Sequence, residues 1–166
     1  MRTIAVLAVS LVLTGCSLVE EHGPTNEDIM RRSGLTVAES KPVVADNFEL
    51  IWPEELSIDT AAVDTSTGCR SRMDSISMDG PPWRPRYQRE QINPSQEFID
   101  RAMANLEAMT TRGFTLVPSQ NPDADPVSRY YRDARGFSVS SSRSRVGPDK
   151  QEVRFTMAST SPCAAE

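Results

Sequence analysis

Apolar positions recur most regularly in the segment 93–113, where they predict a helix with one buried face. Asn93 is a favourable N-cap, Pro94 suits the first helical position, and Gln96 completes a capping box. Gly113 supplies the left-handed residue that ends a helix. The apolar residues between these ends are spaced as on one helix face: Phe98, Ile99, Ala102, Met103, Leu106 and Met109.

Shorter stretches on both sides of this helix alternate between apolar and polar residues, which predicts strands. Val153, Phe155 and Met157 alternate with polar or small residues, and Phe137 and Val139 lie opposite a row of serines. The sequences DARG and VGPDK between these stretches are typical of turns. The predicted strands cover 68–78, 86–92, 114–118, 127–133, 137–145 and 151–160.

The order of these elements predicts an α+β fold. Two strands precede the helix and four strands with short links follow it. We therefore expect an antiparallel β-sheet with one long α-helix packed on one face, in a domain that covers 68–166.

The region 26–67 is predicted to hold a short helix and an irregular segment. Thr25 and Asp28 have the spacing of a capping box, and Gly34 closes this helix. From residue 35 onward the pieces KPVV and FELIW resemble strands, but Pro42 and Pro53 interrupt them.

The chain begins with an apolar run, Ile4–Leu13, that is too short to cross a membrane. A helix of that length rises about 15 Å, half of a ~30 Å hydrocarbon core. Arg2 is the only charge before the run, which is the layout of a secretory signal peptide. A secreted protein whose leader happens to contain cysteine, or a cytosolic start, would also fit this layout.

The residues Leu13-Thr14-Gly15-Cys16 resemble the lipobox of bacterial lipoproteins. In that family the leader is removed before the cysteine, whose thiol carries diacylglycerol. The resemblance implies a cleaved leader over 1–15, lipidation at Cys16 and a polar tether over 16–25. Because stable attachment takes two or more acyl chains, we expect a lipid-anchored protein on the extracytoplasmic face of the cell membrane.

Charge and cysteine content refine this picture. The net charge of −5 does not favour nucleic-acid binding. If Cys16 carries lipid, Cys69 and Cys163 are the remaining cysteines, and outside the cytoplasm they are expected to form a disulfide. Such a bridge would require the first and last strands of the sheet to be neighbours. Two free buried thiols, or a two-cysteine metal site, are the alternatives.

Four short motifs together resemble the small LppA-type lipoproteins of actinobacteria. These motifs are the lipobox, the cysteine that opens the first strand in TGCRSR, the helix ending in RGF and the closing STSPC. The resemblance implies an envelope lipoprotein of unassigned activity, so it assigns no catalytic residues.

Three candidate catalytic or metal-binding groups have ordinary explanations. His22 is the only histidine and lies in the predicted tether, which leaves no His-based nucleophile pair or zinc site. Asn121, Asp123 and Asp125 are spaced like calcium ligands, but Pro and Arg stand where that loop needs Gly and Glu, so a turn is favoured. Paired carboxylates could hydrolyse glycans; the available pairs are Glu54/Glu55, Asp74/Asp79 and Glu90/Glu97.

Two aromatic and arginine-rich stretches form the candidate binding patch. Aromatic residues and arginine dominate binding hot spots, and arginine can bind a phosphate or carboxylate group with two parallel hydrogen bonds. Alternatively, the tryptophan and one tyrosine fill the core edge while the arginines are solvated. The patch residues are Trp83, Arg84, Arg86 and Tyr87 in the first stretch and Arg129, Tyr130, Tyr131 and Arg132 in the second.

The sequence thus predicts a non-catalytic envelope lipoprotein that binds a protein or an anionic polymer, without a cofactor. A carboxylate-dependent enzyme acting on envelope glycans is the alternative.

Overall fold

The computed structural model describes residues 21–72 and 78–166, and within them the chain has the predicted α+β fold. The leader, Cys16, residues 17–20 of the tether and the middle of the predicted strand 68–78 lie outside the described residues. The strands are β1 (Glu21–His22), β2 (Gly68–Arg72), β3 (Met78–Trp83), β4 (Arg86–Ile92), β5 (Thr115–Leu116), β6 (Arg129–Arg132), β7 (Ser138–Val146) and β8 (Glu152–Thr160). The α-helices are α1 (Asn26–Arg32), α2 (Val37–Ile51) and α3 (Gln96–Ala108).

The strands form two antiparallel sheets rather than one. The larger sheet has the order β4-β8-β7-β6-β5, and the smaller has the order β1-β2-β3. The sequence did not indicate β3, because its residues MDGPPW contain a glycine and two prolines, which are unfavourable in strands. β3 pairs with β2 and gives that strand its own sheet.

The disulfide between Cys69 and Cys163 is confirmed, with the two Cα atoms 6.0 Å apart. The expectation that it joins neighbouring strands was wrong. Cys69 lies in β2 of the smaller sheet, whereas Cys163 follows β8 of the larger sheet. The bridge therefore ties the two sheets together, beside a backbone pairing of Trp83 with Ala164.

A 15-residue helix, α2, replaces the irregular segment expected after residue 35. Thr36 caps it, since its Oγ1 accepts a hydrogen bond from the Glu39 backbone N–H at 3.2 Å. Val44, Phe48 and Ile51 are fully buried, and their spacing of four and three is that of a helix face. The prediction for this segment was wrong for two reasons. Its aromatic and β-branched residues are common in strands, and Pro42, which lies in the second turn of α2, is a residue type that usually interrupts helices.

The long helix α3 has the predicted buried face, but it begins two residues later than expected. Ser95 is its N-cap, with Oγ 3.1 Å from the Phe98 backbone N–H. Asn93 instead adopts a positive φ of 48° and accepts a hydrogen bond from the Val153 N–H at 2.8 Å, which ties the start of α3 to β8. Gly113, at φ 85°, ends the following 3-10 turn as predicted.

Both α2 and α3 cover the same face of the larger sheet, whereas one covering helix was expected. An aromatic cluster joins them to the sheet. Phe48 contacts Tyr87 with the ring centroids 4.8 Å apart, and Phe98 contacts both Trp52 and Phe155. No helix among the described residues covers the opposite face of the larger sheet, and this open face is where the candidate site lies.

Candidate functional site

The open face presents a row of polar side chains that the strand register places side by side. Arg86, Thr160, Ser138 and Arg132 are directly opposite one another across β4, β8, β7 and β6. Residues that pair in this way have their side chains on the same face. Tyr130 lies in the next row, and 41 % of its surface is exposed. The hydroxyl groups of β7 at positions 138, 140, 142 and 144 continue along this face.

The structure divides the predicted binding patch between the two faces of the sheet. Arg84, Arg86, Tyr130 and Arg132 are exposed on the open side. The other four patch residues have structural roles on the covered side or at the smaller sheet, and one of them, Arg129, also lines the cleft at the loop 117–128.

These four residues make contacts that account for their positions. The buried Tyr131 hydroxyl donates a hydrogen bond to Glu107 at 3.1 Å, and Arg129 forms an ion pair with the same carboxylate at 3.0 Å. Tyr87 packs edge-on against Phe48. Trp83 is half-buried, and its ring lies so close to Gly80 that any side chain there would collide with it.

A small cleft of about 170 Å³ opens among the arginines of the open face. Arg84 and Arg132 line it, and neither forms an ion pair with any carboxylate in the described ranges 21–72 and 78–166. The Arg84 guanidinium lies 3.6 Å from Cys163 Sγ, which is at most a weak acceptor. The other residues that line the cleft are the hydroxyl-bearing Tyr130, Ser138, Thr160 and Ser161, with Gly136 and Pro162.

Arg86 lies at the edge of this group, and a carboxylate is nearby. Asp64 pairs with Arg86 through two backbone hydrogen bonds of 2.9 Å. Its carboxylate, however, accepts hydrogen bonds from the backbone and hydroxyl of Ser66. The Asp64 carboxylate therefore does not form an ion pair with Arg86, and Arg86 adds positive charge beside the cleft between Arg84 and Arg132.

A larger cleft of about 690 Å³ adjoins the small one, and Tyr130 lines both. Ser140 and Ser142 contribute hydroxyl groups from β7, and the loop 117–128 supplies the opposite wall. Leu116 and Val117 leave exposed apolar surface at this wall, with 45 % and 43 % of their surface accessible. The cleft therefore combines apolar and hydroxyl-bearing walls.

Asp125 fixes the loop 117–128 that forms this wall. Arg143 donates two hydrogen bonds to its carboxylate, from Nε at 2.7 Å and Nη2 at 3.1 Å. The carboxylate also accepts the Val127 backbone N–H at 3.0 Å. Asn121 and Asp123 lie in a turn closed by the Ala124 N–H and the Asn121 carbonyl, and Asn121 Oδ1 accepts a hydrogen bond from the Asp123 backbone N–H at 3.0 Å, as expected of a turn.

Substitution of Asp125 by asparagine is expected to loosen this loop at neutral pH. The hydrogen bonds from Arg143 lower the pKa of Asp125 below its ordinary value. The pair therefore contributes its full stability above pH 4, and the contribution is lost as the pH falls through the lowered pKa. Because both side chains are partly exposed, we expect a loss of less than about 1 kcal/mol.

Amide hydrogen exchange over 118–127 measures this effect. Exchange in Asp125→Asn is expected to be faster than in the parent chain at pH 7, and the difference is expected to shrink as the pH falls below the ordinary pKa of Asp and through the lowered pKa of Asp125, after correction for intrinsic rates. Asp123→Asn, which removes an exposed carboxylate from the same loop, is the matched control. Equal exchange in all three proteins at pH 7 would show that the ion pair does not hold the loop.

The two candidate carboxylate pairs that lie wholly within the described residues do not assemble around a common cleft. Glu90 lies on the open face and forms an ion pair with Arg154 at 3.2 Å, whereas Glu97 lies in the first turn of α3 on the covered side. Glu54 and Glu55 are exposed neighbours after α2. Asp74 lies outside the described residues, so the pair Asp74/Asp79 stays a prediction. His22 is exposed in β1.

Sequence reasoning missed Ser138, Thr160 and Ser161, which complete the small cleft. The signal was the serine row on one face of β7, which was identified but not connected to the arginines. No group of three or more His, Cys, Asp or Glu side chains suited to a metal occurs within the described ranges. None of the helices found there has the length and apolar character needed to span a membrane.

Comparison with known proteins finds no family model, curated protein or solved structure that matches this chain.

Proposed function

We propose that this protein is a lipid-anchored envelope module that binds an anionic polymer on the open face of its larger sheet. The observation that carries the proposal is the cleft between Arg84 and Arg132, where two guanidinium groups without a carboxylate partner in the described residues meet four hydroxyl-bearing residues. Arginine matches phosphate and carboxylate groups with paired, charge-assisted hydrogen bonds.

The charge distribution supports an anionic ligand at this place. The chain as a whole has a net charge of −5, and some of its other arginines form ion pairs, such as Arg143 with Asp125 and Arg154 with Glu90. Against this acidic background, the open face keeps three exposed arginines, Arg84, Arg86 and Arg132. A local positive site on an acidic protein favours a specific anionic ligand over general attachment to polyanions.

The proposed anchor at Cys16 would hold this face near its ligand. Five residue steps separate Cys16 from Glu21, where β1 begins. Such a segment spans at most about 18 Å. The domain would therefore stay close to the membrane surface, with β1 and the smaller sheet nearest to the lipid, so the ligand would be a polymer of the adjacent envelope.

The combined substitution Arg84→Ala and Arg132→Ala is expected to lower affinity for an anionic polysaccharide at least tenfold. Each charge-assisted hydrogen bond contributes about 1.5–3 kcal/mol, and a loss of 1.4 kcal/mol corresponds to a factor of ten. The measurement is binding of the full chain, purified in detergent, to immobilised phosphomannan and polygalacturonate, with neutral dextran as the uncharged surface.

Arg101→Ala is the matched control, because it removes one exposed arginine from α3 on the other side of the sheet. The Arg101→Ala variant is expected to bind both polymers as tightly as the parent chain does. Binding of the parent chain is expected to weaken as the salt concentration rises from about 50 to about 300 mM, because salt screens exposed charges. Equal binding of the double variant and the parent would refute the proposal. Absence of parent binding to both anionic polymers would also refute it.

A further inference from the structure

We infer that the small cleft of the open face and the larger cleft at the adjoining edge of the sheet form one bipartite site for a glycan that carries a negatively charged substituent. The small cleft takes the phosphate or carboxylate group, and the larger cleft takes the sugar to which that group is attached. This inference rests on the proposed function and specifies the ligand class of the same site.

The sizes of the clefts fit this division. Sites that enclose a small-molecule ligand usually measure about 300–1,000 Å³. The larger cleft, at about 690 Å³, lies within that range and can hold one or two sugar rings. The small cleft, at about 170 Å³, lies below it and has room for a compact group only.

The groups that line the small cleft suit an oxyanion. Arg84 and Arg132 can each donate two hydrogen bonds from a planar guanidinium, and hydroxyl groups from Ser138 and Thr160 can donate further ones. Gly136 allows the Arg132 guanidinium to lie in the cleft, because a Cβ at this position would be 3.3 Å from its Nη2 atom. No described carboxylate lines this cleft.

The larger cleft has the mixed lining that a sugar requires. A sugar ring presents C–H groups on its faces and hydroxyl groups at its rim. Leu116, Val117 and the exposed ring of Tyr130 supply apolar surface, while Ser140 and Ser142 supply hydrogen-bonding groups. Because Asp125 is engaged by Arg143, the charge of this wall is compensated.

Tyr130 connects the two clefts and is the residue that distinguishes this site from a simple anion site. It lines both clefts and lies one row from Ser138 and Arg132 in the sheet register. Its ring can therefore pack against a sugar whose charged substituent reaches the arginines. A free anion in the small cleft can be held by the arginines and the neighbouring hydroxyl groups, and it does not need the apolar face of the Tyr130 ring.

Titration of the full chain in detergent micelles with small probes tests the inference. The probes are inorganic phosphate, a panel of hexose phosphates, uronic acids, the matching neutral hexoses and adenosine monophosphate. At least one charged sugar is expected to bind tenfold or more tightly than inorganic phosphate and than its neutral counterpart. Equal affinity for phosphate and for every charged sugar, or equal or tighter binding of adenosine monophosphate, would overturn the inference.

Two variants separate the halves of the site. Tyr130→Ala is expected to weaken binding of the charged sugar about tenfold and to weaken binding of inorganic phosphate much less, whereas Tyr130→Phe retains both. Arg132→Ala is expected to weaken both. If the arginine variants lose binding to the anionic polysaccharides while Tyr130→Ala binds charged sugars like the parent, the bipartite site is wrong and the proposed function stands. If the parent binds neither polymer, the proposed function itself fails.

Discussion

Replacement of both Cys69 and Cys163 by alanine is expected to lower the free energy of unfolding by about 4–5 kcal/mol. The bridge closes a loop with a sequence separation of 94 residues, and constraining a loop of this length in the unfolded chain gives stabilisation of that size. Cys69 lies in the smaller sheet and Cys163 follows β8 of the larger sheet. The bridge therefore also limits how far the two sheets can separate. This loss is a large part of the free energy of unfolding of a typical domain, which is about 5–15 kcal/mol.

Urea unfolding of the double variant beside the parent chain, both measured without reductant, gives this difference. Dithiothreitol is expected to destabilise the parent by a similar amount and to leave the double variant unchanged, which controls for the alanine substitutions. A loss below 1 kcal/mol would contradict the stabilising role of the bridge. Two free thiols in unfolded, unreduced parent protein, in addition to any at residue 16, would contradict the bridge itself.

Substitution of Cys16 by serine is expected to abolish lipid attachment and removal of the leader. Serine has no thiol to form the thioether on which the proposed processing depends. Each buried methylene contributes about 0.8 kcal/mol to membrane binding, so two or more acyl chains hold the protein firmly where one does not. The parent chain is therefore expected to begin at a lipid-modified Cys16, and the variant to keep residues 1–15.

Intact-mass measurement of both proteins from the membrane fraction decides this prediction. Cys69→Ala serves as the control, because it removes a different thiol and is expected to leave the lipid mass at residue 16 in place. A parent chain that begins at any other residue, or a Cys16→Ser variant that still carries acyl mass, would contradict the anchor. This measurement tests the location of the protein, and it does not test the binding site.

Local patterns in the sequence were sufficient for the elements whose signal lies within a few residues. The buried face of α3 follows from the spacing of its apolar residues, and the capping box of Thr25 and Asp28 correctly marked α1. β8 was predicted nearly to its ends, because Phe155 and Met157 alternate with polar residues and face the core.

Elements that depend on distant partners could not be predicted in this way. α2 contains Pro42 and residues that favour strands, and its helical state is stabilised by packing of Phe48 against Tyr87 and Trp52. β3 contains Gly80 and two prolines and is a strand because β2 pairs with it. The division into two sheets follows from this pairing, which the separate segments do not reveal.

The candidate site illustrates the same distinction. Period-two alternation would have placed Tyr130 and Tyr131 on opposite faces, and likewise Arg86 and Tyr87, so half of the predicted patch could have been assigned to the core side from the sequence. The register of β4, β8, β7 and β6 brings Arg84, Arg132 and Thr160 to the same cleft. That register is set by long-range packing.

Site-specific photo-crosslinking in cells that produce the protein tests most directly whether the open face is the binding surface. A photoreactive phenylalanine derivative is placed at Tyr130 on the open face or at Arg101 on α3. We predict that position 130 crosslinks to an anionic glycan of the envelope, that the crosslink disappears when Arg84 and Arg132 are also replaced by alanine, and that position 101 gives none. Crosslinking to the same glycan from position 101 alone, or undiminished crosslinking from position 130 without the two arginines, would contradict the account.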